Sequence, residues 1–407
     1  MDYDLLLDGC CQVGVQLLRF GGEIPRAEDT VRRLLAAYGL EGEVFAVPNC
    51  VWASVCAPSG QVHTRMRRVP GTAANIEGIE RFNDLSRRLC AAPPENPADI
   101  LALCRTTLAE MREYPARLRL LGYFVGAFFF ALFFSGGWSS AAAAGLAGLA
   151  AGACLIALER VQANAFITTL VSAFALGAAA CALAALGAPI NIEVTIAGAI
   201  MVLVPGLVFT SFMSDLLTGD MLSGLATFAR AVLSAGAIAL GTGAAMALHH
   251  DLFPGAAGTL YTVSYPGLVV CLFAFVACLG FCPSLNAQGI GALLCCFGGS
   301  LGWAVYLFVM LFGGNSFAAT LAAAVCVAVY SEIMARLRKC PATSYLLISM
   351  FPLVPGLTIY QAMDHAIQGN TDLFWETFFR TFGIAGCIAL GLLLVSSSLE
   401  VWRRRKG

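Results

Sequence analysis

The stretch that decides the fold is Leu203-Val204-Pro205-Gly206-Leu207, which recurs 150 residues later as Leu353-Val354-Pro355-Gly356-Leu357. The shift of 150 holds without a gap, and 16 of the 39 positions from 203 to 241 are identical under it. Shared hydrophobicity alone would not place a Pro-Gly pair and an arginine, Arg230 or Arg380, in one register. The chain therefore contains an internal duplication, and duplicated membrane halves with broken helices are typical of transporters.

Composition predicts a membrane protein with a soluble part at its N-terminus. Hydrophobic residues make up 59% of the 407 residues, charged residues only 12%, and the mean hydropathy is +0.79. Residues 1–119 carry 29 of the 49 Asp, Glu, Lys and Arg, whereas residues 120–399 carry 15. The net charge of −1 gives no reason to expect a nucleic-acid partner.

The polar N-terminal part has the pattern of a small α+β domain. Helical spacing of apolar residues occurs at 2–20, 25–38, 76–89 and 98–114, and short strands are predicted at 43–47, 50–56 and 61–69. The first residues, Met1-Asp2-Tyr3-Asp4, are acidic where a secretory signal needs a basic region. We therefore expect residues 1–115 to form a cytoplasmic domain.

About ten apolar segments follow, most of them near the length of roughly 20 residues that spans a bilayer. They lie at 120–134, 139–158, 166–187, 194–213, 224–247, 262–281, 285–311, 316–335, 343–363 and 376–398. The segment 285–311 contains Gly298-Gly299 and is either one tilted helix or two shorter pieces. Under the shift of 150 the first five segments fall on the second five.

Two tandem copies of a five-helix unit must enter the membrane from opposite sides, because five is odd. The sequence thus predicts an inverted repeat, with halves at 116–250 and 266–407 and an extracytoplasmic linker at 251–265. The basic groups agree with this threading, since all of them then fall on one side. They are Arg117 and Arg119, then Arg336, Arg338 and Lys339, and the tail Arg403-Arg404-Arg405-Lys406. Both termini of this multi-pass inner-membrane protein are then cytoplasmic.

Pro205-Gly206 and Pro355-Gly356 lie near the middle of segments four and nine. Proline removes a helix hydrogen bond and glycine tolerates unwinding, so backbone groups are freed at membrane depth, where only protein or a cavity can satisfy them. The functional interpretation is a pair of symmetry-related broken helices that line a substrate site. The alternative is an ordinary proline kink, and repetition in the same register favours the site.

Polar side chains follow each Pro-Gly pair. Thr210 and Ser211 follow the first, and Tyr360 and Gln361 follow the second. Their hydroxyl and amide groups would suit the carboxylate and amine of a small zwitterion. The alternative is that these residues approach the headgroup region and meet water.

Arg230 and Arg380 lie a turn or two inside segments five and ten, which is a costly position for an unpaired charge. An acidic residue precedes each across a loop: Asp215 before Arg230 and Asp364 before Arg380. The hypothesis is two gating ion pairs, one at each face, broken alternately. The alternative is interfacial snorkelling without a gating role.

A proton-coupled transporter needs a carboxylate that titrates within the membrane domain. The candidates are Glu159, Glu193 and Glu332. Glu159 neighbours Arg160, and Glu332 precedes a basic residue by four positions, so local ion pairing accounts for two of them. None stands out as a proton carrier.

No pattern predicts a catalytic, metal or cofactor site. The 16 cysteines include no CxxC pair and read as small hydrophobic residues in a reduced protein. In the N-terminal domain His63, Asp84 and Cys50 belong to no nucleophile motif such as GxSxG, and the chain contains no Walker sequence. The sequence therefore argues against an enzyme and against an ATP-driven pump within this chain.

Several short stretches resemble the threonine/serine exporter family. They are the opening helix at 7–22, Arg68-Val69-Pro70, Asn83-Asp84-Leu85-Ser86, the VPG-bearing helix 196–215 and the segment from Phe351 to Tyr360. The resemblance implies a fused form, in which a soluble domain and five helices precede a second membrane part. It also implies a small hydrophilic substrate, either threonine or serine or, as in related systems, a succinate-like dicarboxylate.

The expected function is secondary export of a small amino acid by alternating access, driven by the proton gradient. The driving force rests on the resemblance and on the missing nucleotide motif. A membrane-anchored enzyme or sensor is a second class of function, but an anchor needs neither ten spans nor matched Pro-Gly breaks. A channel would differ by uncoupled flux, and oligomerisation remains possible.

Overall fold

The computed structural model describes residues 2–204, 221–253 and 261–404. It divides the chain into two units. Unit 1 contains Met1–Glu113 together with two short later segments, Leu285–Gln288 and Ile333–Ser344. Unit 2 contains the remainder, which is mostly apolar helix.

Unit 1 consists of a three-stranded sheet and four helices. The helices are α1 (Tyr3–Arg19), α2 (Ile24–Ala37), α3 (Ile76–Ala91) and α4 (Ala98–Ala109), and the strands are β1 (Gly42–Val47), β2 (Cys50–Cys56) and β3 (Val62–Arg68). The sheet is antiparallel in the order β1-β2-β3. Alternation along β2 buries Val51, Ala53 and Val55 on the face toward α1 and leaves the opposite face open.

A short loop from the second half of the chain belongs to unit 1. The carbonyl of Leu285 accepts the backbone N–H of Ile76 at 2.9 Å. Asn286, 6% exposed, donates its side-chain amide to Asn75 Oδ1 (3.2 Å) and to the carbonyl of Arg112 (2.9 Å). The predicted segment 285–311 thus begins with a docked loop, and its helix starts only at Gly289 and then continues unbroken through Gly298-Gly299.

Unit 2 is built from helices. They are α5 (Ala116–Phe133), α6 (Trp138–Arg160), α7 (Ala165–Ala185), α8 (Ile192–Ile200), α9 (Met221–Leu252), α10 (Gly267–Phe281), α11 (Gly289–Leu311), α12 (Ser316–Arg338), α13 (Ala342–Ser349), α14 (Gly356–Ile367) and α15 (Thr371–Arg404). Seven of those described are long and apolar enough to cross a membrane, namely α5, α6, α7, α9, α11, α12 and α15. The chain is a polytopic α-helical membrane protein.

The predicted count of ten full-length segments differs from the described helices in three places. Segment six is the 15-residue helix α10, which starts five residues later than expected because the chain from 261 to 266 has no regular structure and Pro266 caps the helix. In segment four the described residues form the nine-residue helix α8 and a turn, while residues 205–213 lie outside the described set. Segment nine is two short helices, α13 and α14. Segments four and nine occupy equivalent positions in the duplication.

The duplication extends over the whole of unit 2. The helices α5 to α8 begin at residues 116, 138, 165 and 192, and their counterparts in the second half begin at 267, 289, 316 and 342. Each helix of the second set therefore begins 150 or 151 residues after its counterpart. Sequence identity between the halves is weak before residue 203. The spacing of the helices therefore reveals a part of the repeat that the sequence alone does not.

Glycines explain part of the repeated sequence. A Cβ at Gly241 would meet the backbone of α7 near Phe174, and a Cβ at Gly391 would meet α12 near Ala324. These are equivalent contacts under the shift of 150. Close backbone approach at small residues drives helix packing in membranes, so both halves retain the glycine for the same reason.

Candidate functional site

The same turn ends a helix just before the Pro-Gly pair in each half. After α8 ends, the N–H groups of Leu203 and Val204 both donate to the carbonyl of Ile200, at 2.7 and 3.0 Å. After α13 ends, the N–H groups of Leu353 and Val354 donate to the carbonyl of Met350, at 2.9 and 3.1 Å. The two sets of bonds are equivalent under the shift of 150, so the repeated Leu-Val pair adopts a repeated backbone geometry.

The interruption in the second half begins before its proline. Helix α13 ends at Ser349, and Pro355 directly precedes the start of α14 at Gly356. Proline suits a helix start because its fixed φ is already helical and its missing N–H would have no partner there. It also disfavours a helical Val354. The helix is thus interrupted as predicted, but Pro355 starts a new helix and does not kink a continuous one.

The two interruptions meet. Gly356 packs so tightly on Val204 that a Cβ added to the glycine would collide with the valine side chain. Val204 directly precedes Pro205-Gly206, and Gly356 is the second member of the equivalent pair. Two segments that are 150 residues apart in sequence are therefore neighbours in unit 2.

Trp303 of α11 lies against both interruptions. It packs on one apolar cluster that contains Met201 and Phe133 and on another that contains Met350 and Leu353. Its ring centroid is 4.5 Å from those of Phe133 and Tyr306. The indole N–H is buried, and among the residues that the structure describes it has no hydrogen-bond partner. A buried donor of this kind is available to a hydrogen-bond acceptor on a ligand.

These groups form a candidate site, which we call the break site. It consists of the turns 200–204 and 350–356 together with Trp303. The N-terminus of α14 adds backbone N–H groups that favour an anion such as a carboxylate. Sequence analysis missed Trp303, although a single indole in the middle of an apolar segment was an available signal.

The structure places only some of the predicted substrate residues. Pro355 and Gly356 are buried at the break site, and Gln361 is exposed on α14. Tyr360 lies in the same helix, but its side chain is outside the described set. Pro205, Gly206, Thr210 and Ser211 fall between residues 204 and 221 and so are also outside it.

The two arginines of the predicted gates occupy equivalent, exposed positions. Arg230 of α9 and Arg380 of α15 are 150 residues apart, and both are exposed. Arg230 Nη2 is 3.5 Å from Thr227 Oγ1. Asp215 and the side chain of Asp364 lie outside the described residues, so both ion pairs stay predictions. The helices themselves meet at a cluster that contains the equivalent residues Ala235 and Ala385.

One expected ion pair is different in the structure. Glu159 does not rely on its neighbour Arg160; its carboxylate binds Arg119 Nη2 at 2.9 and 3.0 Å. The reason is that α5 and α6 pack side by side, which brings the start of one helix to the end of the other. Glu193 is exposed in the first turn of α8.

The possible hydrolytic residues of unit 1 have separate partners. His63 Nδ1 is 3.2 Å from Asp4, Asp84 pairs with Arg88, and the buried Cys50 thiol faces the carbonyl of Val51. All 16 cysteines are free thiols. Within the described residues no group of histidine, cysteine or carboxylate side chains could hold a metal ion.

The strongest charge cluster in unit 1 joins α1 to β3. Asp8, 7% exposed, accepts from Arg65 Nε at 2.7 Å and from Arg67 Nε at 2.8 Å. Burial alone would raise the pKa of this carboxyl, but the hydrogen bonds and charges of Arg67 and Arg65 outweigh it and hold the pKa below its usual value. The cluster therefore stabilises the unit as an ion pair.

Comparison with known proteins agrees with the two halves. A family model for threonine/serine exporters matches residues 8–249, and a second, described as Threonine/Serine exporter, ThrE, matches residues 270–398. This chain belongs to the threonine/serine exporter family. Its two family segments coincide with α1 to α9 and with α10 to α15, so each segment supplies one of the interruptions that meet at the break site.

This chain is similar to the threonine/serine exporter of Corynebacterium glutamicum. The two sequences are 26% identical over 323 residues, which cover 75% of this chain. The chain spans 63% of the length of that relative, so a large part of the relative has no counterpart in the alignment. No solved structure matches this family member.

Proposed function

We propose that this protein exports a small amino acid of the threonine and serine class across the cytoplasmic membrane. The observation that carries the proposal is the contact between Val204 and Gly356, which joins two repeat-related broken helices, one from each half. Secondary transporters bind substrate where such discontinuous helices meet. Family membership supports export, and the name of the relative supports the substrate class.

At the break site each part of a zwitterion has a suitable group. The carboxylate would accept from the N-terminus of α14 and from the indole N–H of Trp303. Carbonyl groups released by the turns at 350–354 would accept from the ammonium. The side chains of Thr210, Ser211, Tyr360 and Gln361 are proposed to complete the site. The substrate hydroxyl would bind among them.

Alternating access would follow from motion of one half against the other around this contact. Two gating pairs are proposed, Asp215 with Arg230 at the cytoplasmic face and Asp364 with Arg380 at the outer face. The proton gradient is the proposed driving force; no carboxylate stands out as the proton carrier, and Glu159 is held by Arg119. Both termini and the N-terminal domain are proposed to be cytoplasmic.

The test is efflux of labelled threonine, serine and succinate from loaded cells, or their uptake into inverted membrane vesicles, with and without an uncoupler. Gly356→Ala should abolish efflux because its methyl group meets Val204. Gly243→Ala is the matched control, since an added Cβ there has open space. The double variant Val204→Ala/Gly356→Ala should regain activity, because removal of the valine methyl groups restores the space.

The outcomes separate the alternatives. Efflux of succinate instead of the two amino acids would identify a dicarboxylate exporter with the same architecture. Flux that follows the gradient and ignores the uncoupler would indicate a channel. Normal efflux by well-expressed Gly356→Ala would mean that the contact between the two interruptions is not part of the transport path.

A further inference from the structure

The open face of the sheet in unit 1 carries a row of oxygen acceptors. Glu43, Ser54 and Thr64 are paired across the three strands, so their side chains lie side by side. The hydroxyls of Ser54 and Thr64 are 2.9 Å apart. A carboxylate beside two hydroxyls is an arrangement that accepts hydrogen bonds from an ammonium group.

The next row of the same face is apolar. Phe45, Trp52 and Met66 are paired across the strands, and the first two rings stack with centroids 5.8 Å apart. Phe45 is 56% exposed and Met66 is 53% exposed. A contiguous apolar row that is open to solvent beside a polar row is typical of a binding surface.

Helix α2 brings a positive charge to this face. Glu28 of α2 accepts the backbone N–H of Ala46 at 2.7 Å, which fixes the helix along the edge of β1. Arg32 lies one turn further along the same side of the helix. Arg32 and Glu43 line one open cavity of about 480 Å³, and within the described residues neither forms an ion pair. Small-molecule clefts usually measure about 300–1,000 Å³.

We propose that this cavity, the sheet pocket, binds a free α-amino acid at a site separate from the transport path. Arg32 pairs with the carboxylate, and the row of Glu43, Ser54 and Thr64 accepts from the ammonium. Phe45 and Trp52 hold the carbon chain, and the indole face of Trp52 attracts the ammonium. The pocket is open and its ligand small, so we expect a Kd of about 1 mM.

Such a site would act as a sensor that reports the supply of cargo to the exporter. This regulatory role rests on the proposed function, whereas the binding itself does not. Weak affinity suits that role, because an exporter has to respond to excess and not to trace amounts of an amino acid.

The test uses the purified full-length protein, with threonine, serine, succinate and ethanolamine as probes. Hydrogen exchange of the peptides that cover β1 and β2 locates binding, and titration gives the affinity. Threonine and serine should protect these strands, whereas succinate lacks the ammonium and ethanolamine lacks the carboxylate, so neither should. Arg32→Gln and Glu43→Gln should each weaken binding at least about tenfold.

Two matched controls separate this site from a general charge effect. Arg33→Gln changes the adjacent arginine, which is paired with Asp29, and Glu41→Gln changes an exposed glutamate outside the cavity. Both should bind like the wild type. Equal protection in Arg32→Gln and wild type would overturn the proposal. So would a dimer that Trp52→Glu dissociates, because a second copy would then cover the face.

Efflux measured on the same variants distinguishes the two proposals. Amino-acid efflux with no protection of β1 and β2 would reject the sheet pocket and leave the export function in place. Protection that depends on Arg32, without efflux of any probe, would support the pocket and reject the proposed export function.

Discussion

At the scale of single residues, buried polar groups give the most direct tests of this structure by mutation. Asp8 is buried but paired with Arg65 and Arg67, whereas the indole N–H of Trp303 is buried without a described partner. The first arrangement is stabilising because each hydrogen bond is charge-assisted. The second is costly in the free protein and becomes favourable only when an acceptor arrives.

Asp8→Asn should loosen α1 and β3 at neutral pH. The side chains of Arg65 and Arg67 are 48% and 33% exposed. Because solvent screens these ion pairs, the free energy of local unfolding of α1 and β3 should fall by only about 2 kcal/mol. A pKa below its unfolded value means that the pair contributes fully above about pH 4, and that this stability is lost as the pH falls through the folded pKa.

Hydrogen exchange of α1 amides at several pH values measures this effect. The difference between wild type and Asp8→Asn should be largest near neutrality and shrink in acid. Asp4→Asn is the control, because that carboxylate is 69% exposed beside His63 and its loss should change little. Equal protection of wild type and Asp8→Asn at pH 7 would contradict the assigned role of the pair.

Trp303→Phe should affect stability and transport in opposite directions. The ring contacts with Phe133 and Tyr306 are retained, while the unpartnered buried donor is removed, so the protein should be as stable or about 1 kcal/mol more stable. The half-saturating substrate concentration for efflux should rise roughly tenfold, because one hydrogen bond to the carboxylate is lost. Trp375→Phe, at a 51% exposed position, is the control. Unchanged efflux kinetics would mean that Trp303 does not bind the substrate.

At the scale of elements, the short loops and short helices make the specific contacts that the long apolar helices do not. The loop Leu285–Gln288 belongs to unit 1, and its Asn286 adopts φ +51°, a conformation that asparagine tolerates better than most residues. The side chain of Asn286 also bonds Asn75 and Arg112. One residue therefore fixes both the turn and its attachment.

Asn286→Ala should release this loop from unit 1. It removes two donated hydrogen bonds and puts alanine, which tolerates positive φ less well than asparagine, at φ +51°, for an expected cost of about 2–3 kcal/mol. Hydrogen exchange should rise in the first turn of α3, where Ile76 N–H binds Leu285. Gln288→Ala should cost less, because Gln288 is only half-buried and the carbonyl of Arg112 keeps its hydrogen bond from Asn286. A larger effect for Gln288→Ala than for Asn286→Ala would reverse this assignment.

At the scale of the whole molecule, the repeat is the organising feature. Its equivalent helices begin at the same spacing, its two interruptions use the same hydrogen bonds, and Ala235 and Ala385 pack in one cluster. Symmetry of this kind implies that the functional parts also occur in pairs. The proposed gates at Arg230 and Arg380 follow that rule.

Charge exchange tests the gates. Arg230→Gln and Arg380→Gln should each reduce efflux at least about tenfold if the ion pairs close the two faces. The exchanges Asp215→Arg/Arg230→Asp and Asp364→Arg/Arg380→Asp should restore part of the activity. Arg160→Gln is the control, because Glu159 is bound to Arg119 instead. Full activity of both glutamine variants would leave the arginines with an interfacial role only.

The sequence alone determined the membrane class, the N-terminal strands and helices, and the duplication, because each depends on local period or on direct identity. It also located the helix interruption at Pro355-Gly356, where α14 begins. Tertiary structure decided what these elements touch. The contact of Val204 with Gly356, the partner of Glu159, the position of Trp303 and the loop held by Asn286 all join residues distant in sequence. Hydropathy and residue spacing do not predict such contacts, because the contacts depend on how the helices pack against one another.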